Sequence, residues 1–297
     1  MTLFSKVNAY GGGHTINLNI TENHKNAGLF AGIGGGFGTT PSSAVWFENA
    51  GTVQNLKLTS VITISGDSAY SAGAVAASIA DAGSSIKGIA SSVTVTVSGS
   101  SAVFAGGIVG SANSGHTQPL VIENCYSTGN VSITNPLSRV EAGGIAGSLS
   151  TATISSCWVL GTVTASAYSG GIPGYSGGIF GSSSTTSTVS NCVALSPAVS
   201  GDNPMNLGGT YLGGTFRIGS ADGTLANNHA NSAMTVNGST VPDNTPNGGN
   251  GGAVTLAATE AENWWKTTAN WSSKFGTSEA APWKWDSNRK RPVLWFE

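Results

Sequence analysis

The chain has 297 residues, 43 of them glycine; 9% of its residues are charged, and its formal net charge is −2 at pH 7. The scarcity of Lys and Glu argues against a helix-rich protein, and the low net charge argues against intrinsic disorder. The same low charge gives no electrostatic basis for binding nucleic acid or an anionic membrane surface.

The N-terminal stretch, MTLFSKVNAYGGGHTI, contains one lysine but no apolar segment of the kind found in a signal peptide. No part of the chain approaches the roughly 20 consecutive apolar residues that a membrane-spanning helix needs. The sequence therefore predicts no membrane insertion. Either a leader was removed or the start is internal to a longer natural polypeptide.

Two short phrases alternate along the chain and define a repeat, mostly at intervals of 32–37 residues. Periods of this size are typical of solenoids, propellers and other arrays. The glycine-rich phrase, for example FAGGIVGSA at 104–112, has as its aligned residues Gly28, Gly73, Gly106, Gly143, Gly177 and Gly213. In the second phrase, for example IENCYS, we align Leu56, Ile89, Cys125, Cys157, Cys192 and His229 at the position of the cysteine.

Segments between the phrases alternate apolar with small polar residues, as in VITIS at 61–65 and VTVTVS at 93–98. This period of two predicts strands, and no unit has the amphipathic pattern of a helical repeat. A propeller blade would need units of ~40–50 residues. We therefore predict an all-β fold, a parallel β-helix of about six coils over residues 1–236, whose first coil is truncated.

Equivalent residues of successive coils stack in columns about 4.8 Å apart. Zinc can bind three cysteines and one histidine, but a column spreads its members along the coil axis instead of directing them at one ion. Because buried free cysteine also behaves as a small apolar residue, we predict packing, with no metal and no cofactor. The expected inward structural column is Leu56, Ile89, Cys125, Cys157, Cys192 and His229. A second inward column is expected at Leu29, Val75, Ile108, Ile145 and Ile179, ending at Thr215.

Parallel β-helices also support polysaccharide lyases and hydrolases, which gather carboxylates in one cleft. The acids of this chain do not recur at one period, since Glu141 aligns with Phe104 and Tyr175 instead of with another acid. We therefore predict no enzyme and no catalytic residues. Phe104, Tyr175 and Tyr211 each lie two residues before an aligned glycine and are possible ligand-facing aromatics; the alternative is that they cover a corner of the fold.

The composition changes after residue 236. Residues 237–253 are rich in Gly, Asn and Pro and predict a flexible linker or a long loop. Six of the eight tryptophans lie in residues 254–297. Because a solenoid needs a cap over its last open coil, we predict that 254–297 is that cap.

Within the predicted cap, Thr259 and Glu262 have the spacing of a capping box at the start of a short helix. The stretch RPVLWF at 291–296 predicts a terminal strand. We assign the tryptophans to the interior of the cap. Its solvated face is expected to hold Lys284, Arg289, Lys290 and Arg291.

The paired phrases resemble those of the bacterial GLUG-motif surface proteins. AGGIVGSA and IENCYSTGNVSI, within 105–133, carry the resemblance most clearly, and WKWD followed by RPVLW resembles the usual ending of such domains. The resemblance covers nearly the whole chain and departs at SAGAVAASI and YLGGTFRIG. It implies a β-helical, secreted or surface-attached, adhesin-like protein, with no catalytic residues to carry over.

These observations predict a non-catalytic module at the bacterial cell surface, adhesin-like or a spacer. It would present a lateral face to a glycan or to a host or cell-surface protein. Two alternatives stay open at this point. One is a polysaccharide lyase or hydrolase; the other is a structural subunit that self-associates through the uncapped N-terminal coil.

Overall fold

The structure is a computed structural model of the chain. The structure describes residues 8–22, 26–33, 50–66, 70–80, 82–99, 103–114, 118–135, 139–167, 174–201, 205–207, 210–212, 214–220, 222–242 and 245–297. Within these ranges, no helix is both long enough and apolar enough to cross a membrane.

Short strands follow one another along nearly the whole chain. The first half contains β1 (Asn8–Tyr10), β2 (Thr15–Glu22), β3 (Asn26–Ala27), β4 (Thr52–Gly66), β5 (Tyr70–Gly73), β6 (Ala76–Ile79), β7 (Ser85–Ser91), β8 (Thr94–Gly99), β9 (Val103–Gly106), β10 (Val109–Asn113), β11 (Leu120–Glu123), β12 (Tyr126–Ser127), β13 (Val131–Asn135), β14 (Val140–Gly143) and β15 (Ala146–Ser150). The second half contains β16 (Ala152–Ser155), β17 (Trp158–Val159), β18 (Val163–Ala167), β19 (Gly174–Gly177), β20 (Phe180–Ser183), β21 (Thr188–Ser190), β22 (Val193–Ala194), β23 (Ala198–Gly201), β24 (Met205–Leu207), β25 (Thr210–Leu212), β26 (Gly214–Phe216), β27 (Thr224–Ala226), β28 (His229–Asn231), β29 (Thr235–Val236), β30 (Ser239–Thr240), β31 (Gly252–Val254), α1 (Leu256–Thr259), α2 (Glu262–Lys266), β32 (Trp283–Asp286) and β33 (Arg291–Leu294).

The strands stack in parallel between successive coils, which confirms the predicted β-solenoid. Four coils are complete, at 52–79, 85–113, 120–150 and 152–183. Strands of an incomplete coil precede them at 8–27, and strands of two further coils follow at 188–216 and 224–236. Inward residues of neighbouring coils lie in register: Ile62 pairs with Val95 and Val95 with Val131. These side chains are at most 1% exposed, so the alternating pattern of the sequence forms one continuous apolar core.

The glycine-rich phrase forms a close approach between coils. Gly106 pairs with Gly143, and Gly143 with Gly177. A Cβ atom added to Gly143 would lie only 1.9 Å from the carbonyl oxygen of Ala146, so a side chain cannot fit there without moving the backbone. Steric need at the coil contact thus accounts for the repeated glycine.

The sixth glycine phrase does not follow the register expected for it. Gly177 pairs with Phe216, and the amide of Ile179 donates to the carbonyl of Ile218 at 2.9 Å. The second inward column therefore ends at Ile218, and its assignment to Thr215 is wrong by three residues. The shift follows an antiparallel hairpin, β24–β25, that precedes this coil; the aligned Gly213 lies outside the described residues.

The Gly/Asn/Pro-rich segment is a long loop whose second part binds the last coil. The carbonyl of Pro246 accepts from the amide of Asn228 at 2.8 Å, and that of Gly249 accepts from the amide of Ile218 at 2.9 Å. Strand β31 then pairs in parallel with β28. Residues 245–254 therefore hydrogen-bond to the backbone of the last coil, whereas the sequence pattern predicted that the Trp-rich segment would cover it.

The Trp-rich segment, residues 255–297, forms a cap on the side of the solenoid. Its first helix is capped by Thr255, whose hydroxyl accepts from the amide of Ala258. The predicted capping box is wrong, because Thr259 ends α1 and Ala261 precedes α2 without a side-chain cap. The predicted terminal strand is confirmed as β33, which pairs with β32 in an antiparallel hairpin.

Candidate ligand-binding groove

The second repeated phrase builds a left-handed turn in every coil. Its third residue has a φ between 52° and 60° in each case: Asn55, Gly88, Asn124, Ser156, Asn191 and Asn227. Glycine and asparagine adopt this conformation at lower cost than other residues, which explains their recurrence. The turn directs the next residue into the core and the one after it outward.

Five of the six residues expected in the inward column lie there fully or nearly buried: Leu56, Ile89, Cys125, Cys157 and Cys192. Burial raises the pKa of the Cys157 and Cys192 thiols, and a hydrogen bond to a neighbouring cysteine raises each further. Neutral, enclosed thiols suit packing instead of reaction. Among the described residues, no group of three or more His, Cys, Asp or Glu side chains could hold a metal ion.

The assignment of His229 to this column is wrong by one residue, because His229 pairs with Val193. The inward position after Cys192 belongs to Asn228, which is fully buried. Its side chain accepts from the amide of Cys192 at 3.0 Å and donates to the carbonyl of Val189 at 2.8 Å. The second asparagine of LANNHA thus takes the cysteine position, and the histidine faces outward.

The three aromatic candidates are not gathered into one site. Phe104 and Tyr175 are half-buried in one column, with Glu141 between them. Glu141 is 1% exposed, accepts a hydrogen bond from Ser182 and forms an ion pair with Arg139. The Arg139 guanidinium lies 4.9 Å from the centre of the Tyr175 ring. Tyr175 therefore packs against a residue of its own column.

Tyr211 lies apart from this column. It pairs with Asn206 in the inserted hairpin, whereas Tyr175 pairs with Gly214. The same register shift that moved the sixth glycine phrase therefore removes Tyr211 from the predicted aromatic row.

The outward residues that follow the left-handed turns form a second column, here called the outer row: Lys57, Ala90, Tyr126, Trp158, Val193 and His229. Tyr126 and Trp158 stack with ring centres 4.5 Å apart and planes 7° apart. Only Lys57 in the outer row is neither apolar nor aromatic, and a contiguous apolar patch on the outside of a fold marks a surface that another element or a partner covers.

The cap covers the outer row with three tryptophans that are at most 1% exposed: Trp265, Trp271 and Trp283. The indole of Trp271 donates to the carbonyl of Asn191 at 2.6 Å, and that of Trp283 donates to the side chain of Asn124 at 3.2 Å. The prediction that tryptophans fill the cap interior is confirmed for these three. The cap is therefore fixed to the left-handed turns of two different coils.

A groove of about 530 Å³ remains where the cap meets the outer row. Edges of Tyr126 and Trp158 form its floor, and the exposed Leu160 forms part of its mouth. Its polar wall contains Ser91, Ser92 and Thr128. A volume of this size is within the usual range for small-ligand sites, which combine apolar surface with a few fixed polar groups.

Three cations line the groove, although the chain as a whole has a net charge of −2. Two of them share one carboxylate: Glu297 lies 3.6 Å from the ammonium of Lys57 and 3.3 Å from the guanidinium of Arg289. Tyr126 donates to the same carboxylate at 2.8 Å. Burial, reinforced by the charge of Glu297, raises the pKa of Tyr126 far above its usual value, so this phenol stays protonated.

The third cation, Arg291, is 8% exposed, so its assignment to the solvated face of the cap is wrong. Its Nη1 donates to the carbonyls of Thr259 at 3.3 Å and Lys290 at 2.6 Å, whereas its Nε has no hydrogen-bond partner. No carboxylate of the described residues lies within ion-pair distance of it. Burial lowers the pKa of Arg291, but an arginine remains charged in proteins.

A smaller, polar recess of about 340 Å³ borders the cap on the side of the left-handed turns. Asn55 donates to Glu279 across it, and Lys87 pairs with Glu123 at 2.8 Å. These polar groups are already matched with one another. The groove, with its unmatched guanidinium, is therefore the stronger candidate for a binding site.

Comparisons with known proteins support the fold and leave the family open. No family model matches the chain, and no curated protein does. A solved structure described as a putative immunoglobulin A1 protease from Bacteroides ovatus resembles it with a TM-score of 0.58 at 21% sequence identity. The match covers 97% of this chain and 76% of that one. At this identity the likeness shows a shared fold alone.

Sequence reasoning missed the groove because its residues come from distant segments. Tyr126 and Trp158 follow the cysteines in IENCYS and ISSCWV, and an aromatic at that outward position is the signal that could have revealed a covered face. Lys57 and Arg291 are 234 positions apart in the sequence. Only the placement of the cap along the solenoid brings them to one groove.

Proposed function

We propose that the chain is a non-catalytic, extracellular display module of a bacterial surface protein, and that it binds a glycan in the groove beside the cap. The resemblance of its paired phrases to GLUG-motif surface proteins supports the location. The observation that carries the binding role is the groove itself. Its lining combines the aromatic side chains of Tyr126 and Trp158, hydroxyl-bearing side chains, and the largely buried Arg291, which has no carboxylate of the described residues within ion-pair distance.

The rigid solenoid is suited to presenting the groove to a ligand in a fixed geometry. Stacked coils hold the floor of the groove in a fixed geometry, and the cap is joined to them by tryptophan hydrogen bonds. A site built on rigid elements loses little conformational entropy when a ligand binds. The remaining lateral surface would act as a spacer that holds the groove away from the cell.

The test is binding of the purified chain to an array of glycans and mucins, with parallel assays for shortening of the glycans and for cleavage of immunoglobulin A1. We expect the chain to bind at least one glycan of the array and to degrade none of them. Absence of binding to every member of the array, or turnover of a polysaccharide or of the immunoglobulin, would contradict the proposal.

Two exposed leucines provide a matched pair that locates the site. Leu160 at the mouth of the groove is 37% exposed, and Leu256 on α1, outside the groove lining, is 38% exposed. Leu160→Glu places a hydrated charge at the mouth and is expected to weaken glycan binding at least about tenfold. Leu256→Glu is expected to leave binding unchanged, and equal effects of the two would place the ligand elsewhere.

The N-terminal edge favours a second candidate, a self-assembling subunit. Among the described strands only β4 pairs with the eight-residue strand β2, and its inward residues Ile16 and Ile20 are only half-buried. An open edge of this kind can pair with another chain. Light scattering across a hundredfold range of concentration tests it, since a constant monomer mass would reject the second candidate.

A further inference from the structure

The charge balance of the groove points to the class of glycan it would bind. Among the described residues, three cations and no carboxylate line the groove. Beside it, Glu297 pairs with Lys57 and Arg289 and accepts from Tyr126, and Asp286 pairs with Arg289 at 3.5 Å. Within the described part of the chain, Arg291 has no carboxylate within ion-pair distance and no hydrogen bond at Nε, and the charge of Glu260 acts on it only from beyond that distance. Leaving a buried guanidinium without an anion is costly, so a ligand that supplies one gains from the unmatched charge.

We propose that the groove binds a saccharide that bears a carboxylate or sulfate, and that Arg291 binds this anionic group. The inference rests on the proposed glycan-binding function. A planar guanidinium matches the two oxygens of a carboxylate or sulfate. Ser92 and Thr128 line the groove where sugar hydroxyls would be placed. The Thr128 hydroxyl donates to the carbonyl of Ser91 at 3.4 Å and can still accept, and that of Ser92 can donate and accept.

The strands beneath the groove favour a saccharide over an acidic peptide. Extended peptides bind proteins of this kind by adding a strand to an open sheet edge. Strand β12, at the floor, pairs with β7 on one side and with β17 on the other. Its backbone is therefore already used, and recognition must rely on side-chain hydroxyls and cations, which suits a hydroxyl-rich anion.

The test compares anionic saccharides with neutral partners of the same skeleton. We would measure, by calorimetry, binding of an oligogalacturonide and its methyl ester, sialyllactose and lactose, and a chondroitin sulfate oligosaccharide and its desulfated form with the carboxylates esterified. At least one anionic member is expected to bind about tenfold or more tighter than its neutral partner, as one charge-assisted pair allows. Its affinity should fall with rising salt concentration.

Variants assign the effect to Arg291. Arg291→Gln is expected to abolish the preference for the anionic member while leaving the neutral member within about twofold. Lys284→Gln, on β32 outside the groove lining, is the matched control and should change neither. Because Arg291→Gln can loosen the cap, Lys57→Gln at the half-exposed wall serves as a second variant, with circular dichroism and the thermal midpoint as checks of folding.

The outcomes separate the two proposals. Neutral members that bind as tightly as anionic ones in every pair would overturn the charge preference but leave glycan binding intact. If a folded Arg291→Gln variant and Lys57→Gln both keep the preference, the anionic group binds elsewhere, which overturns the role of Arg291 but leaves glycan binding intact. Absence of binding to all six compounds and to the array would overturn both proposals together.

Discussion

The solenoid and the cap share one interface but are stabilised by different residues. In the solenoid, small residues allow backbones to approach closely, as at Gly143, where an added Cβ would lie 1.9 Å from a carbonyl oxygen. In the cap, the interior is filled by large tryptophan side chains such as Trp271 and Trp283, whose ring centres are 4.8 Å apart. The solenoid leaves no room for an added atom at its aligned glycines such as Gly143. The cap depends instead on large side chains that do not recur.

The difference follows from periodicity. A coil residue must fit the equivalent residues above and below it, because their side chains stack at the strand spacing. A cap residue is subject to that constraint only where it touches the outer row. The sequence of the cap therefore contains no repeat. The groove lies at the boundary, where periodic Tyr126 and Trp158 meet the non-periodic Arg291.

Removing a cap tryptophan should have the largest effect. Trp271→Ala deletes a side chain that is 1% exposed and leaves the carbonyl of Asn191 without its indole donor. We expect a loss of about 3–5 kcal/mol in the free energy of unfolding, measured by urea denaturation. Trp285→Ala on β32, where the side chain is half-buried, is the control and should cost clearly less.

Adding one methyl group to a coil glycine tests whether the contact between neighbouring coils leaves room for a side chain. Gly143→Ala is expected to cost about 3 kcal/mol, because the new Cβ would collide with backbone that cannot move freely. Gly83→Ala is the comparison: its nearest neighbour would be 3.6 Å away, and only its φ of +78° opposes the change. That strain alone costs about 1–2 kcal/mol, so equal losses at both sites would contradict the steric account.

The contrast between periodic coils and a non-periodic cap also explains which parts of the structure could be predicted from the sequence. The coils were predictable because each residue type recurs where geometry requires it, down to the pairing of Glu141 with Phe104 and Tyr175. Errors arose where the repeat was interrupted: the hairpin before Gly214 shifted the sixth phrase, and LANNHA offered two asparagines for one turn position. The placement of Arg291 could not be predicted, since no periodic rule fixes where the cap lies.

The left-handed turns offer a smaller, stabilising change. Ser156 holds a φ of 52° that glycine or asparagine occupies in the other five coils. Ser156→Asn should raise the free energy of unfolding by about 0.5 kcal/mol, because asparagine adopts this conformation more readily. The neighbouring Ser155→Asn, in strand β16, is expected to be neutral or destabilising; a gain there as large as at Ser156 would show that the turn is not the cause.

The smallest expected effect concerns the contact of the outer row with the cap at His229. The ring of His229 lies edge-on to Trp264 at 5.5 Å, and its Nδ1 is buried without a hydrogen-bond partner. Burial lowers the pKa of His229 below its usual value of 6.5, so the unfolded chain binds the proton more readily. Stability from this site is therefore present above about pH 6.5 and is lost as the pH falls further.

Urea denaturation at pH 7.5 and pH 5.5 measures this loss. The wild-type chain is expected to lose stability between the two values, and His229→Gln should reduce that loss, because glutamine does not titrate. If His229→Gln and the wild type respond identically to pH, protonation at His229 does not weaken the interface between the last coil and the cap.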